Sequence, residues 1–320
     1  MSPSDRPLAV LRGGAVGDFI LTLPAIEALR RHQPARPLWL VARPSLAILA
    51  RPDRVIDLDG PALLPLFAPH PPEPGHAPSL LSGARLTLAY LAGADDSLRR
   101  RLEALTGGEA WLADPRPRTS DRSHIIDHLL APLTERGIAV EDRVPHLVPA
   151  ADAVAWAEGQ PAVGGGPGPL VCLHPGSGGT HKCWPLPCFA ELAADLTRAG
   201  CRPVVLFGPA EEERWGDRAL ALPTGVPRMS PPGLPEVAAV LARAALHVGN
   251  DSGPGHVAAA VGTPVLSLFG PTDPAIWAPR GPGCRVLVAP GGDLPSLGLD
   301  CVRQAALEML AASGDPPHGR

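Results

Sequence analysis

Three short runs of the chain place glycine beside groups that can bind or move charge: RGGAVGD at 12–18, HPGSGGTHKCWP at 174–185 and GNDSGPGH at 249–256. Glycine lets a backbone approach a ligand closely, and each run stands where a strand should hand over to a helix. In the second run, the backbone N–H groups of Gly176, Ser177, Gly178 and Gly179 can line an anion site, Thr180 adds a hydroxyl and Lys182 a compact positive charge. Phosphate suits that set; the plainer reading is a glycine-rich turn with a solvated lysine. The GK[ST] ending of a Walker A loop is absent, which disfavours a kinase or GTPase. In the third run, Ser252 and Gly253 would present free N–H groups at the positive end of a helix, with Asp251 and His256 flanking a diphosphate or sugar. An Asx-turn capped by Asp251 or Ser252 is the competing reading. A further polar turn follows at Gly270–Pro274. In the first run, Asp18 stands near a helix start, as an N-cap or as a carboxylate able to take a proton. Gly13, Gly14 and Gly17 do not make GxGxxG, so no dinucleotide fingerprint is present.

The elements around these runs alternate between strand and helix patterns. Residues 8–11, 37–42, 54–58 and 85–91 read as strands, and 125–136 as a helix. The segment after Asp18 has helical spacing at Ile20, Leu23, Ile26 and Leu29, with Pro24 marking a kink or a fresh start. A second excursion through strand, glycine turn and helix begins at residue 170, with strands at 170–173, 203–207, 246–248 and 264–269. Helices are expected over 189–199, from 208, and over 234–244 and 256–261. A last one is expected near Asp300–Ala312, leaning back on the first domain. The run AEGQPAVGGGPGP (157–169) is the best linker. The resulting expectation is α/β: a Rossmann-like domain at 1–158 and another at 168–320, facing each other across a cleft, with ligands at the carboxyl ends of strands. The Pro-rich stretch 61–79 gives no clear pattern.

A chain of 320 residues suits two domains, and 45% hydrophobic residues allows each its own core. A net charge of −4 gives no basic surplus to neutralise nucleic-acid phosphates. Six cysteines include no CxxC pair and no histidine at zinc spacing, and no metal-ligand cluster stands near the three runs; reduced thiols in a cytoplasm are expected. The N-terminus does not read as a signal peptide, and no apolar stretch reaches the roughly 18 residues a membrane span needs.

The blocks RGGAVGDFILTLPAIEALR, HPGSGGTHKCWPLPCFAELA, LFGPAEEE and NDSGPGHVAAAVGTPVLSLFGPTDPAIWAPRG resemble, in order, the signature blocks of glycosyltransferase family 9. The best-known members are the bacterial ADP-heptose:lipopolysaccharide heptosyltransferases, and the blocks span residues 8–280. The resemblance implies a GT-B fold and inverting sugar transfer from a nucleotide-diphosphate sugar such as ADP-heptose, with no metal and no cofactor. The acceptor would be a lipopolysaccharide-core or other glycan, lipid-linked or free, which leaves room for peripheral contact with the cytoplasmic face of the inner membrane. It makes Asp18 the catalytic base. Ser177, Thr180, Lys182, Asp251, Ser252, Gly253 and His256 become donor diphosphate and sugar contacts, and Glu211 or Glu212 a ribose contact. The chain departs from the lipopolysaccharide enzymes at Leu88–Ala94, where they carry an Asp-Leu-Gln-Gly-like strand end. Two other functions fit a donor half of this kind: a nucleotide-sugar epimerase of GT-B type, and a non-catalytic sugar-nucleotide-binding module. The first lacks a further acid/base set and the second would have no use for Asp18.

Overall fold

Strand β1 (Leu8–Arg12) is buried at every position, as a parallel strand covered on both faces must be. The computed structural model describes residues 6–67, 81–118, 122–216, 223 and 225–313. By contact the chain divides into two units, Met1–Pro145 and His146–Arg320.

In the first unit β1 is flanked by β2 (Leu38–Ala42) and β4 (Leu86–Tyr90), with β3 (Arg54–Asp57) and β5 (Glu109–Ala113) outside them. The order is β3-β2-β1-β4-β5, every pairing is parallel, and Arg12 stands opposite Tyr90. The segment after β1 is two helices, Val16–Ile20 and Leu23–His32. Pro24 is the second residue of the latter, inside the first turn, where its missing N–H costs nothing. The helix Asp96–Thr106 and strand β5 were not anticipated, although Asp95 caps the helix by accepting from Leu98 N–H at 2.7 Å and Gly107 ends it at φ 67°. Of the Pro-rich stretch 61–79, the residues up to Phe67 form a short turn and helix, and the remainder lies outside the described residues.

The second unit contains β6 (Leu170–His174), β7 (Arg202–Leu206), β8 (Arg228–Met229), β9 (Leu246–Asn250), β10 (Val265–Phe269) and β11 (Cys284–Val288). Their order is β11-β10-β9-β6-β7-β8, all parallel. Counted within the unit this is the 3-2-1-4-5-6 order of a doubly wound nucleotide-binding sheet. In both units the order reverses beside the first strand, between β1 and β4 and between β6 and β9. Helices leave in opposite directions there and the strand ends open a crevice, so the loops after β1, β6 and β9 are the favoured ligand positions.

One expectation about layout changes. The division falls at Pro145, upstream of the glycine-rich run, because the helix Ala151–Glu158 buries Ala153 and Ala157 and packs on the helix Leu234–Ala242. Leu147 N–H also donates to Ala260 C=O at 2.8 Å. The glycines at 164–168 instead thread the chain tightly into β6: at Gly168 (φ 86°) a Cβ would stand 2.0 Å from the Gly200 carbonyl oxygen. The last helix, Leu299–Ser313, packs on the helix Leu186–Arg198 and on β9, putting Val302, Ala305 and Ala306 into the core of the second unit with Leu192 and Leu196. Trp184, fully buried, belongs to that core. Its ring stands edge-on to Phe189 at 5.0 Å and its Nε1 donates to Leu297 C=O at 2.9 Å. All six cysteines are free thiols.

Candidate nucleotide-sugar site

In the first unit, the chain leaves β1 through Gly13, Gly14 and Ala15, and Gly14 takes φ 104°. Only glycine fits, since a Cβ there would lie 2.6 Å from Asp18 Oδ2. The N-cap of the next helix is Ala15, and Asp18 is three residues into it. Its carboxylate reaches back to accept from Ala15 N–H at 2.9 Å, so it caps from inside the helix rather than from the N-cap position. The other oxygen pairs with Arg12 at 3.3 Å. Arg12 is only 3% exposed, and its Nε also donates to Thr22 Oγ1 at 3.0 Å, while Thr22 donates to the Asp18 carbonyl at 2.8 Å. Burial pulls the Arg12 guanidinium below its ordinary pKa, against the pull of Asp18 and Tyr90 and together with a push from Arg116. The guanidinium carbon sits 5.9 Å from the Tyr90 ring centre, and Tyr90 Oη donates to Leu129 C=O at 2.5 Å. Arg12 and Thr22 were not singled out in the sequence. An arginine inside an otherwise apolar strand, aligned with a helix carboxylate six residues on, was the available signal.

In the second unit, the loops after β6 and β9 are clasped together at the switch point. Asn250, fully buried, accepts from Trp184 N–H at 2.9 Å and donates to Pro175 C=O at 2.7 Å. Ser177 Oγ donates to Asp251 C=O at 2.8 Å. Lys182 Nζ stands 3.2 Å from Asp251 Oδ2, which also accepts from Thr272 Oγ1 at 2.7 Å in the turn after β10. Three strand ends thus contribute to one charged cluster, in which Ser177, Lys182 and Asp251 lie together. Thr180 lies in the same loop, exposed, in the turn Thr180–Lys182. Gly253 is the first residue of the helix Gly253–Ala260, Ser252 its N-cap, and His256 is buried one turn in. Ser252 makes no capping bond with its side chain; its Oγ is 3.4 Å from Nδ1 of His174, the last residue of β6.

The two candidate glutamates part company. Glu211 is buried, accepts from Gly208 N–H at 2.8 Å, and has its Oε2 3.7 Å from His174 Nε2. Burial alone would raise its pKa, but His174 and the N–H groups of Gly208 and Glu211 together bring it below the ordinary carboxylate value. Gly176 passes so close that a Cβ would fall 1.9 Å from Glu211 Oε1. Glu212, one residue on, faces outward and pairs with Arg228 and with Ser230 Oγ, which hold its pKa down. The sequence left His174, Asn250, Arg214 and Thr272 without a role. Arg214 donates to Ser177 C=O at 3.3 Å and stabilises the loop from below. Among the described residues no group of three or more His, Cys, Asp or Glu side chains could hold a metal ion.

Comparison with known proteins fits this geometry. The family model described as glycosyltransferase family 9 (heptosyltransferase) matches residues 143–306, just over half the chain. Lipopolysaccharide heptosyltransferase 3 of Escherichia coli K12 is 36% identical over 115 residues, 34% of this chain and 33% of that protein. Lipopolysaccharide heptosyltransferase 1 of Pseudomonas aeruginosa is 40% identical over 129 residues, 39% of this chain and 34% of that protein. The alignments thus span about a third of the length of these relatives. Over the whole fold, a glycosyl transferase family 9 structure from Veillonella parvula superposes with a TM-score of 0.76 at 20% identity, covering 96% of this chain and 97% of that one. E. coli ADP-heptose lps heptosyltransferase II does so with a TM-score of 0.74 at 17% identity, covering 97% and 100%. E. coli heptosyltransferase WaaC with ADP gives 0.72 at 22%, covering 95% and 99%. The two parallel α/β units are therefore those of the GT-B fold, and with the family model matching through β6–β11 and their loops, the chain belongs to glycosyltransferase family 9.

Proposed function

We propose that this protein is an inverting glycosyltransferase that moves heptose from ADP-heptose to a glycan acceptor of the lipopolysaccharide core, in the cytoplasm and without a resident metal. The observation that carries the reading is the convergence of Lys182, Asp251, Thr272 and the N-terminus of the helix Gly253–Ala260 at the switch point of the six-stranded sheet. The relatives named above are heptosyltransferases, and solved structures of the same fold hold ADP and ADP-2-deoxy-2-fluoro heptose.

The chemistry follows from charge. An acceptor hydroxyl loses its proton to Asp18 as its oxygen attacks the anomeric carbon, and the bond to the diphosphate breaks on the opposite face, so the configuration inverts. The diphosphate leaves with added negative charge, which Lys182 and the backbone N–H groups of Ser252 and Gly253 at the start of the helix Gly253–Ala260 offset. Lys182 is presently balanced by Asp251; a diphosphate carries more charge than one carboxylate and draws the lysine over, leaving Asp251 to accept from sugar hydroxyls. These positive groups supply what a divalent ion would otherwise supply. Glu212 is the better ribose contact of the two glutamates, because it faces outward while Glu211 is buried. No described helix is long and apolar enough to cross a membrane, so a lipid-linked acceptor would be met at a membrane surface.

The test is transfer itself. Purified protein with ADP-heptose and a heptose-free lipopolysaccharide-core acceptor should release ADP and extend the glycan, in the presence of EDTA. An epimerase would alter the donor with no acceptor present, and a binding module would leave both substrates unchanged; either result overturns the assignment.

A further inference from the structure

We infer that Ser252, His174 and Glu211 form a relay that couples diphosphate binding to the uptake of one proton, with His174 as a positioning residue acting through the Ser252 hydroxyl. The inference rests on the proposed nucleotide-sugar reading of this site. His174 is 6% exposed and ends β6 between two other elements. Its Nδ1 is 3.4 Å from Ser252 Oγ and its Nε2 is 3.7 Å from Glu211 Oε2. Glu211 is in turn pinned by Gly208 N–H and overlain by Gly176, so it has no room to swing away.

The geometry fixes the tautomer. Glu211 is held ionised, and a carboxylate oxygen beside Nε2 favours the proton on that nitrogen. Neutral His174 therefore offers a lone pair at Nδ1, and the Ser252 O–H must donate to it. In that state the serine presents only lone pairs outward, which repel a phosphate oxygen. When a proton from solvent adds to Nδ1, the new N–H donates to Ser252 Oγ. The Ser252 hydrogen then turns outward and donates to the diphosphate, beside the helix N–H groups. No covalent bond other than N–H is made, and the imidazolium sits between Glu211 and the bound anion. A diphosphate thus selects the protonated relay, and its departure releases the proton.

The charged and titratable groups facing His174 agree with this direction. Glu211, from the helix Pro209–Trp215, attracts the imidazolium. His247, on neighbouring β9, is fully buried and held neutral, its pKa lowered to about 3 by burial and by His174, so it adds no opposing charge at neutral pH. Lys182 and Asp251 lie in the adjoining loops and balance each other before ligand arrives. Ser252 makes no capping bond with its side chain, and its hydroxyl stands against His174 Nδ1 instead.

The experiment is calorimetric titration of the full chain with ADP at about pH 8 in two buffers of different ionisation enthalpy. The difference in apparent heat gives the protons taken up. Wild-type protein should take up about half to one proton per ADP, adenosine none, and ADP affinity should rise as pH is lowered towards 6. His174→Asn keeps a polar atom near the Nδ1 position; it should still bind ADP, within about tenfold, with the uptake lost. Ser252→Ala should weaken ADP and leave adenosine unchanged. Wild-type binding without proton uptake overturns the relay on its own, whatever the variants do. Uptake persisting in His174→Asn assigns the proton to another group, such as His181 or His256, and overturns it too. Parallel titrations with GDP and UDP separate the two readings: uptake with UDP and no binding of ADP would sustain the relay and defeat the adenine donor. No binding of any diphosphate would defeat both.

Discussion

Both oxygens of Asp18 already have partners in the folded chain, Ala15 N–H and Arg12, so its removal has a structural as well as a chemical consequence. Asp18→Asn retains an oxygen for Ala15 but leaves the buried Arg12 without a full counter-charge. A loss of about 1–2 kcal/mol in stability is expected, more than for a simple exposed cap and less than for a fully buried pair, because Asp18 is one-third exposed. If Asp18 is the base, transfer falls roughly a hundredfold or more while ADP affinity holds. Measuring melting temperature, ADP affinity and transfer rate on one variant separates the roles; near wild-type transfer would remove the base from the mechanism. Lys182 asks a complementary question. Lys182→Ala should weaken ADP by about 1–3 kcal/mol, the scale of charge-assisted hydrogen bonds, and leave adenosine nearly untouched. Equal weakening of both ligands would make Lys182 a support for Asp251 only.

The loops are held by elements the eye passes over in a sequence. Asn250 is the last residue of β9 and, unexposed, satisfies one N–H of the loop after β6 and one of its carbonyls. Asn250→Ala would orphan Trp184 N–H and Pro175 C=O in the interior, a cost of about 2–4 kcal/mol. Chemical denaturation should report that loss, and nucleotide affinity should fall with it, since Ser177 and Lys182 ride on the same loop. Unchanged ADP binding in a destabilised variant would mean that Asn250 supports the fold alone. The three glycine-rich runs were legible because glycine, a strand pattern before and a helix pattern after are all local signals. The partners were not. Nothing near Asn250 in sequence announces Pro175 or Trp184, and nothing near Glu211 announces His174. The domain division escaped for the same reason: a glycine run looks like a hinge until Leu147 is seen bonded to Ala260. By contrast, β5 and the helix before it had local cues, Asp95 and Gly107, that went unused. The edge strands β8, two residues long, and β11, only partly buried, carry too little pattern to read.

At the scale of the whole molecule, acid should act first through the second unit, because its core holds His247. That side chain is unexposed, neither ring nitrogen has a hydrogen-bond partner among the described residues, and burial lowers its pKa from 6.5 to about 3. The unfolded chain therefore binds a proton that the folded chain refuses. A group with a depressed folded pKa adds stability above its unfolded value, and that stability drains away as pH falls towards the folded value. For His247 the window runs from about pH 6.5 down to about pH 3. Glu211, also depressed, adds a loss of the same sign lower down, in the carboxylate range. The combined effect is on the order of a few kcal/mol, enough to lower the melting temperature by roughly 5–15 °C between pH 7 and pH 4. His247→Leu tests the assignment without disturbing the loops. Leucine removes two unsatisfied buried nitrogens at similar volume, so stability at pH 7 should hold or rise by about 1–2 kcal/mol. The slope of melting temperature against pH between 6.5 and 4.5, above the carboxylate range, should flatten in the variant. If the slope survives, the acid sensitivity in that range belongs to groups other than His247.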